Sequence, residues 1–392
     1  MKGKGRAAPP VAPPEDVEIT PQYVEPPPLP PALQPGPIVR RRPSITRNGS
    51  SGQSSPKKRK RESFALAPVT GEGSQVAEHY NKRLNFSREE RNYSPIIGLK
   101  SFNNWIKSVL IAKYARDYHR SQEEQQQDRN GHRGGPRRPQ SRFRVLDMGC
   151  GKGGDLQKWQ KAGITDYVAV DIAEVSIQQA RRRWEELRGR RFNANFYALD
   201  CYSNPLTAII PDEILRDPPF DVVTMQFCMH YAFQSVSKAR MMLENVSRYL
   251  KKGGTFIGTI PDSEQLLTRL KELPPDANPL AFGNEVYRIV FDDRSKFPAF
   301  GHRYTFYLTD AVEDVPEYVV QWQAFEELAA EYSLKLLYHG TFHELFSAER
   351  ETPEFEQLLV RMKVVSPDGE SELTEDQWEA ANIYVAFAFI KV

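Results

Sequence analysis

Nowhere in the 392 residues does an apolar run approach the ~18 positions needed to cross a bilayer, so no membrane span is expected. Cysteine is scarce. Cys150, Cys201 and Cys228 lie far apart with no CxxC pair, which suggests neither a disulfide framework nor a zinc site. Three small buried hydrophobes in a reducing compartment is the simpler expectation. The start of the chain also lacks the apolar core of a secretory signal. An excess of one charge is missing too, since 53 basic residues face 51 acidic ones.

What is present is unevenly spread. Of 30 prolines, 13 fall within the first 43 residues, among glycines, serines and basic residues. Such a segment cannot bury enough surface to offset its ordering entropy, so residues 1–75 read as a disordered tail. Inside it, Pro56–Arg61 ("PKKRKR") has the form of a nuclear import signal or a nucleic-acid patch, and a nuclear location is expected. The tail carries +6 against +2 for the whole chain, which leaves −4 on residues 76–392. A body of that sign is no general nucleic-acid binder, so any RNA must be met by a local site. Residues 119–142 have no apolar period and read as a flexible loop.

From Phe143 onward, short β-branched strands alternate with helices: "FRVLDM", "YVAVDI", "FYALD", "FDVVTMQF" and "TFIGTI". This pattern predicts an α/β, doubly wound, mostly parallel sheet covered on both faces. Ligands of such sheets sit beyond the carboxyl ends of the strands. Two later runs, "VYRIVF" and "RYTFYL", predict an antiparallel insertion, and "IYVAFAFIKV" a closing strand. Ahead of the sheet, Phe102, Ile106, Val109 and Leu110 have helical spacing, with Asn103, Asn104 and Lys107 off that face.

The turn after the first strand, "DMGCGKGGD", is glycine-rich, so backbone must come close to a ligand. A Walker A loop is excluded because no Gly-Lys-Ser/Thr follows the strand. Gly149, Gly151 and Gly154 fit GxGxxG for a dinucleotide, while Asp147, Gly149, Gly151 and Gly153 fit the loop that holds S-adenosylmethionine. The acids favour the second. Asp171 can hold the ribose hydroxyls of either cofactor, but Asp200 would meet the adenine amino group, and Asp147 would face an ammonium and repel a pyrophosphate. His230 and Tyr231 at the fourth strand's end stand where an acceptor would lie.

Taken in order, "NNWIKSVL", "VLDMGCGKGGDL", "VDIAEVSI", "QFCMHYAF", "GTIPDS", "FGNEVY", "DVPEYVV" and "IYVAFAF" resemble the eukaryotic mRNA cap guanine-N7 methyltransferases. The resemblance runs from about His79 to the C-terminus, so residues 76–392 would form the catalytic domain. It implies a seven-stranded class I methyltransferase fold and methyl transfer to the cap of nascent mRNA. It places Lys107, Gly149, Asp171, Asp200, Gln226 and Tyr231 around S-adenosylmethionine, to which the loop spacing itself adds Asp147 and Gly151. Asn103, Asn104, His230, Glu317 and Tyr384 would surround the cap guanosine, and Lys152, Lys158 and Arg183 its phosphates; Pro261, which ends the fifth strand, is a further cap-side candidate. No general base is expected, because His230, Tyr231, Glu317 and Tyr384 would orient the guanine for in-line transfer. Cys201 departs from the small polar residue expected after Asp200. Candidate partners of the tail are RNA polymerase II or other capping enzymes. A non-catalytic RNA-binding module and a dinucleotide oxidoreductase are the rival readings.

Overall fold

The computed structural model describes residues 72–82, 93–129, 142–216 and 219–392. The tail through residue 71, with its basic run, lies outside the described residues, as do 130–141. The strands are β1 (Arg144–Met148), β2 (Asp166–Asp171), β3 (Asn193–Ala198), β4 (Phe220–Gln226) and β5 (Leu250–Pro261), then β6 (Leu280–Gly283), β7 (Tyr287–Phe291), β8 (Arg303–Leu308) and β9 (Val312–Tyr318), and last β10 (Leu334–Thr341) and β11 (Tyr384–Lys391). The helices are α1 (Glu72–Lys82), α2 (Ile97–Ile111), α3 (Tyr118–Arg129), α4 (Leu156–Ala162), α5 (Glu174–Glu185) and α6 (Asp212–Arg216), followed by α7 (Val236–Tyr249), α8 (Ser263–Glu272), α9 (Trp322–Glu331), α10 (Phe342–Glu349), α11 (Pro353–Arg361) and α12 (Glu375–Ala381).

Seven strands make one sheet in the order β10-β11-β5-β4-β1-β2-β3. Strands β1 to β5 pair in parallel, and β11 runs antiparallel between β5 and β10. This is the doubly wound, mostly parallel arrangement expected, with its order reversing at β1 and β4. Strand β1 is buried throughout, as a central strand covered on both faces must be. The insertion is a separate antiparallel sheet, β6-β7-β8-β9, of which only the middle two strands were legible as such. The edge strand β10 alternates buried and exposed residues too irregularly to announce itself.

Helix α2 forms as its spacing requires. Phe102, Trp105, Ile106, Val109 and Leu110 are all fully buried, and each such side chain contributes roughly 1.5–3 kcal/mol. Its aromatic face meets Phe346 of α10 and Trp378 of α12 at 5.3–5.6 Å between ring centroids. Beyond Ile111 the helix widens into one π-turn over Ala112–Asp117, where Thr255 Oγ1 donates to the Tyr114 carbonyl at 2.7 Å.

Residues 118–129 then continue as helix, so the loop expected over 119–142 is helical in its first half. Gln, Glu and Arg are good helix formers, and a segment that extends an already packed helix meets no nucleation cost. Stacking of His119 on Phe143 at 4.2 Å anchors it to the start of β1. The tail boundary also moves. Helix α1 starts at Glu72, so a division at 75/76 cuts through its first turn.

Asp147 belongs to this framework. It is 3% exposed, and Tyr167 Oη on the neighbouring strand donates to its Oδ2 at 2.6 Å. Burial pushes its carboxyl up to about 7, with the nearby Asp155 and Asp171 charges adding to the rise. A carboxyl raised in the folded state stabilises the fold below its ordinary value of 3.8, and that contribution disappears as the pH climbs through about 7. Asparagine accepts the same hydrogen bond and never ionises. Thermal melts of Asp147→Asn against the parent chain should therefore show the variant gaining several degrees between pH 5 and pH 8. Parallel melting curves across that range would mean that Asp147 titrates as an ordinary carboxylate.

Candidate active site

Two cavities open at the carboxyl ends of β1, β2 and β4. The first, about 300 Å³, is lined by the glycine turn, the ends of β2 and β4, and the loop after β3. The turn comes close because glycine lets it. Gly149 has φ +81°, and a Cβ there would stand 2.4 Å from Cys228 Sγ. Asp171 holds the turn in place: its Oδ2 accepts from Gly151 N and its Oδ1 from Ala173 N, both at 2.8 Å. Burial raises its carboxyl, and these two amides offset part of the rise. Asp200 accepts Tyr202 N and Ser203 N on Oδ1 alone, at 3.0 and 3.2 Å.

All three cysteines line this cavity. Burial, together with neighbouring carboxylates, pushes each thiol up, so all three are held protonated. Cys150 and Cys228 are half-buried rather than core residues. Helix α1 contributes Gly73 and Val76 to the wall, and Val175 N donates to Asn81 Oδ1 at 3.1 Å.

The second cavity, about 330 Å³, is bounded by α2, β8, β9, the end of β4 and the start of β11. Asn103, Asn104, His230, Glu317 and Tyr384 line it, and Lys107 and Phe227 line both cavities. Phe227 has φ +59°, an uncommon and strained conformation outside glycine. Its amide donates to the Thr259 carbonyl at 3.0 Å and to Thr259 Oγ1 at 3.1 Å, which holds that backbone. Its ring packs edge-on to Tyr384 with centroids 5.0 Å apart.

Glu317 is 4% exposed. Tyr231 Oη donates to its Oε1 at 3.2 Å, and Tyr304 Oη, from the cross-strand position on β8, donates to Oε2 at 2.9 Å. His230 Nε2 lies 3.3 Å from Oε1, yet neither ring nitrogen of His230 makes a hydrogen bond. Asn103 Oδ1 is likewise buried without a partner. Asn104 is engaged at both ends, donating to the Lys100 carbonyl at 2.9 Å and accepting from Lys158 Nζ at 2.8 Å.

In the wall of the first cavity stands Asp155, 8% exposed, in salt bridges with Lys107 at 2.8 Å and Lys158 at 2.7 Å. Burial opposes its charge, but the two ammonium groups hold its carboxyl well below the usual range. Burial draws Lys158 down to about 8 against the pull of Asp155.

A family model for the mRNA (guanine-N(7))-methyltransferase domain matches residues 68–392. The chain belongs to that family. It is 52% identical over 317 residues to an mRNA cap guanine-N(7) methyltransferase of Cryptococcus neoformans, covering 81% of this chain and 47% of that protein. Similar enzymes of Schizosaccharomyces pombe and Oryza sativa are 44% and 41% identical, each across 81% of this chain and about four-fifths of their own length. The chain thus spans about half the length of the Cryptococcus relatives.

Seven of the eight cofactor residues expected from the resemblance and the loop spacing line the first cavity: Lys107, Gly149, Gly151, Asp171, Asp200, Gln226 and Tyr231. Asp147 does not. It lies behind the turn against Tyr167, so the repulsion argued from it against a pyrophosphate has no basis in the cavity wall. Of the cap set, Asn103, Asn104, His230, Glu317 and Tyr384 come together. Pro261 is buried opposite Tyr384 in the β5–β11 ladder, one step behind that wall. Lys152 and Arg183 line neither cavity, and Lys158 is tied to Asp155 and Asn104.

Sequence reasoning missed Asp155, Phe227, Tyr304 and helix α1. Asp155 closes the glycine motif, and Phe227 sits inside "QFCMHYAF", so both were in view without a role. Tyr304 meets Glu317 only through strand pairing. The position of α1 carries a consequence. Among N-terminally shortened chains, one beginning at Pro68 should bind S-adenosylhomocysteine as tightly as the full chain. One beginning at Val76 should bind it several-fold more weakly. Equal calorimetric affinities for the two would remove α1 from the cavity wall.

Proposed function

We propose that this chain transfers a methyl group from S-adenosylmethionine to N7 of the terminal guanosine of a GpppN-capped transcript. The observation that carries the reading is the second cavity. It presents a buried carboxylate with unpartnered polar atoms beside it, and shares the Lys107–Phe227 wall with the first. Guanine offers N1–H and its exocyclic amino group side by side. Each oxygen of Glu317 already accepts one tyrosine hydroxyl and keeps a further lone pair for one of these donors. Asn103 Oδ1 and the His230 ring add polar groups that need partners. The Phe227 and Tyr384 rings offer a stacking surface for the base.

The first cavity fits the methyl donor on independent grounds. The Gly149 backbone leaves no room for a side chain, Asp171 presents a carboxylate at the end of β2, and the Asp200 carboxylate stands beyond β3. When bound, S-adenosylmethionine supplies an electrophilic methyl group on a sulfonium. Asp171 would hold the ribose hydroxyls, Asp200 the adenine edge, and Lys107 with Asp155 would close the amino-acid end. The N7 lone pair of guanine carries no proton at neutral pH, so no residue has to act as a general base. The residues around Glu317 orient the base instead, and orientation of two reactants can contribute roughly 7–11 kcal/mol. The 56–61 run favours nuclear import, where nascent caps arise, with RNA polymerase II or another capping enzyme meeting the tail.

Labelled methyl transfer to unmethylated GpppRNA tests the activity. A cap whose guanine lacks the exocyclic amino group should lose about 1.5–3 kcal/mol, roughly 10- to 150-fold in kcat/KM, because a hydrogen bond to a charged group disappears. The single-turnover rate should be flat around neutrality. A first-order rise from pH 6 to 8, abolished in His230→Ala while cap binding persists, would make His230 a base and overturn the mechanism.

A further inference from the structure

The described body carries one concentrated patch of positive charge. Arg181–Arg191 ("RRRWEELRGRR") holds six arginines and two glutamates, +4 within a body of −4. Two of these arginines brace neighbouring backbone. Arg181 donates to the Phe196 carbonyl at 3.3 Å, and Arg191 donates to the Glu185 carbonyl at 2.7 Å beside the Trp184 ring. Arg182, Arg188 and Arg190 are exposed, as is Lys161 at the end of α4.

The patch is built rather than loose. Gln160 Nε2 on α4 donates to the carbonyls of Arg188 and Arg190 at 3.0 and 2.9 Å, and Gly189 turns the chain between them at φ +93°. Helix α4 is thereby fastened to the turn that follows α5. Both helices lie on one face of the sheet, since each is a crossover between neighbouring parallel strands in the order β1-β2-β3. At the other end of α4 is the glycine turn, where Gly153 abuts Ala180 of α5. Arg183 follows Ala180 by three positions, on that same side of the helix. Lys152, Arg183, Lys161, Arg188 and Arg190 thus lead away from the cavities along α4 and α5, and α4 is only about 10 Å long.

The geometry points to this strip as the binding surface for the phosphodiester backbone of the transcript just downstream of the cap. The inference rests on the function proposed above. A chain of phosphates leaving the cap must run somewhere on a body of net negative charge, and this strip starts at the loop beside the cavities. Arginine suits phosphate through its planar fork of donors. The family resemblance puts Lys152 and Arg183 at the cap phosphates, and Arg188 and Arg190 extend the track to later nucleotides.

The test compares the parent chain with an Arg188→Gln/Arg190→Gln variant on two substrates, the dinucleotide GpppG and a capped 20-nucleotide single strand. Removing the same number of charges from α7, by Arg240→Gln/Arg248→Gln, controls for net charge. With GpppG, all three proteins should show equal kcat and KM. With the 20-mer, the Arg188/Arg190 variant alone should show a raised KM, and its plot of log affinity against log salt should be shallower by about 1.4, at ~0.7 per lost phosphate contact. A fourfold rise in salt would then weaken it roughly sevenfold less than the parent chain. Anisotropy of a labelled 20-mer reads the surface even without turnover, so the surface and the activity fail separately. Unchanged 20-mer affinity and salt slope in the variant would overturn the proposal. So would loss of binding to a polyglutamate peptide with RNA affinity intact, which would assign the strip to an acidic protein segment.

Discussion

A single buried carboxylate joins the two halves of the site. Asp155 stands at the head of α4, and the ammonium groups of Lys107 and Lys158 reach it from α2 and from its own helix. Removing one partner of such a buried pair typically costs about 3–5 kcal/mol, because the remaining charge is left without compensation in a poorly solvated place. The pair is therefore a constraint on geometry more than a source of stability. It fixes the register of α2 against the glycine turn, and with it the placement of Asn103 and Asn104. Lys107, tethered by this bridge, lines both cavities.

The rest of the site follows from how strands end. In a parallel sheet the loops after β1, β2, β3 and β4 emerge on one side, so Gly149, Asp171, Asp200 and Gln226 converge without any local signal linking them. Glycine lets the first loop approach, and Asp171 spends two of its acceptor positions holding that loop still. The acceptor half is different in origin. Glu317 arrives on β9 of the second sheet, and its orientation comes from hydroxyls on β8 and on the turn after β4. Those two hydroxyls fix the Glu317 carboxylate in the wall of the second cavity. Phe227, held in a strained backbone conformation by Thr259, stands in the wall that the two cavities share.

Charge is distributed with the same economy. The body is negative overall, yet the face carrying α4 and α5 concentrates arginine, while the opposite face pairs its arginines with glutamates, as Arg240 does with Glu331. The three thiols in the cofactor-side cavity are kept neutral by burial beside carboxylates, so they line the wall as small polarisable groups and not as nucleophiles.

By itself the sequence determined the alternating sheet, the glycine turn, the acids that end its strands and the amphipathic helix ahead of it, because these depend on periodicity and local backbone chemistry. The ordered motifs also identified the family. Only the tertiary structure decided which acids face a ligand. Asp147 and Asp155 stand at either end of one short motif, yet the first is buried behind the turn against Tyr167 and the second is held between two lysines in the cavity wall. The helical course of residues 118–129 was illegible because it extends a packed helix and has no apolar face of its own. Tyr304, α1 and the Gln160 clamp were illegible for a shared reason. Each acts through a partner distant in sequence, and which partner it meets depends on strand pairing, helix docking and crossover hand rather than on any neighbouring residue.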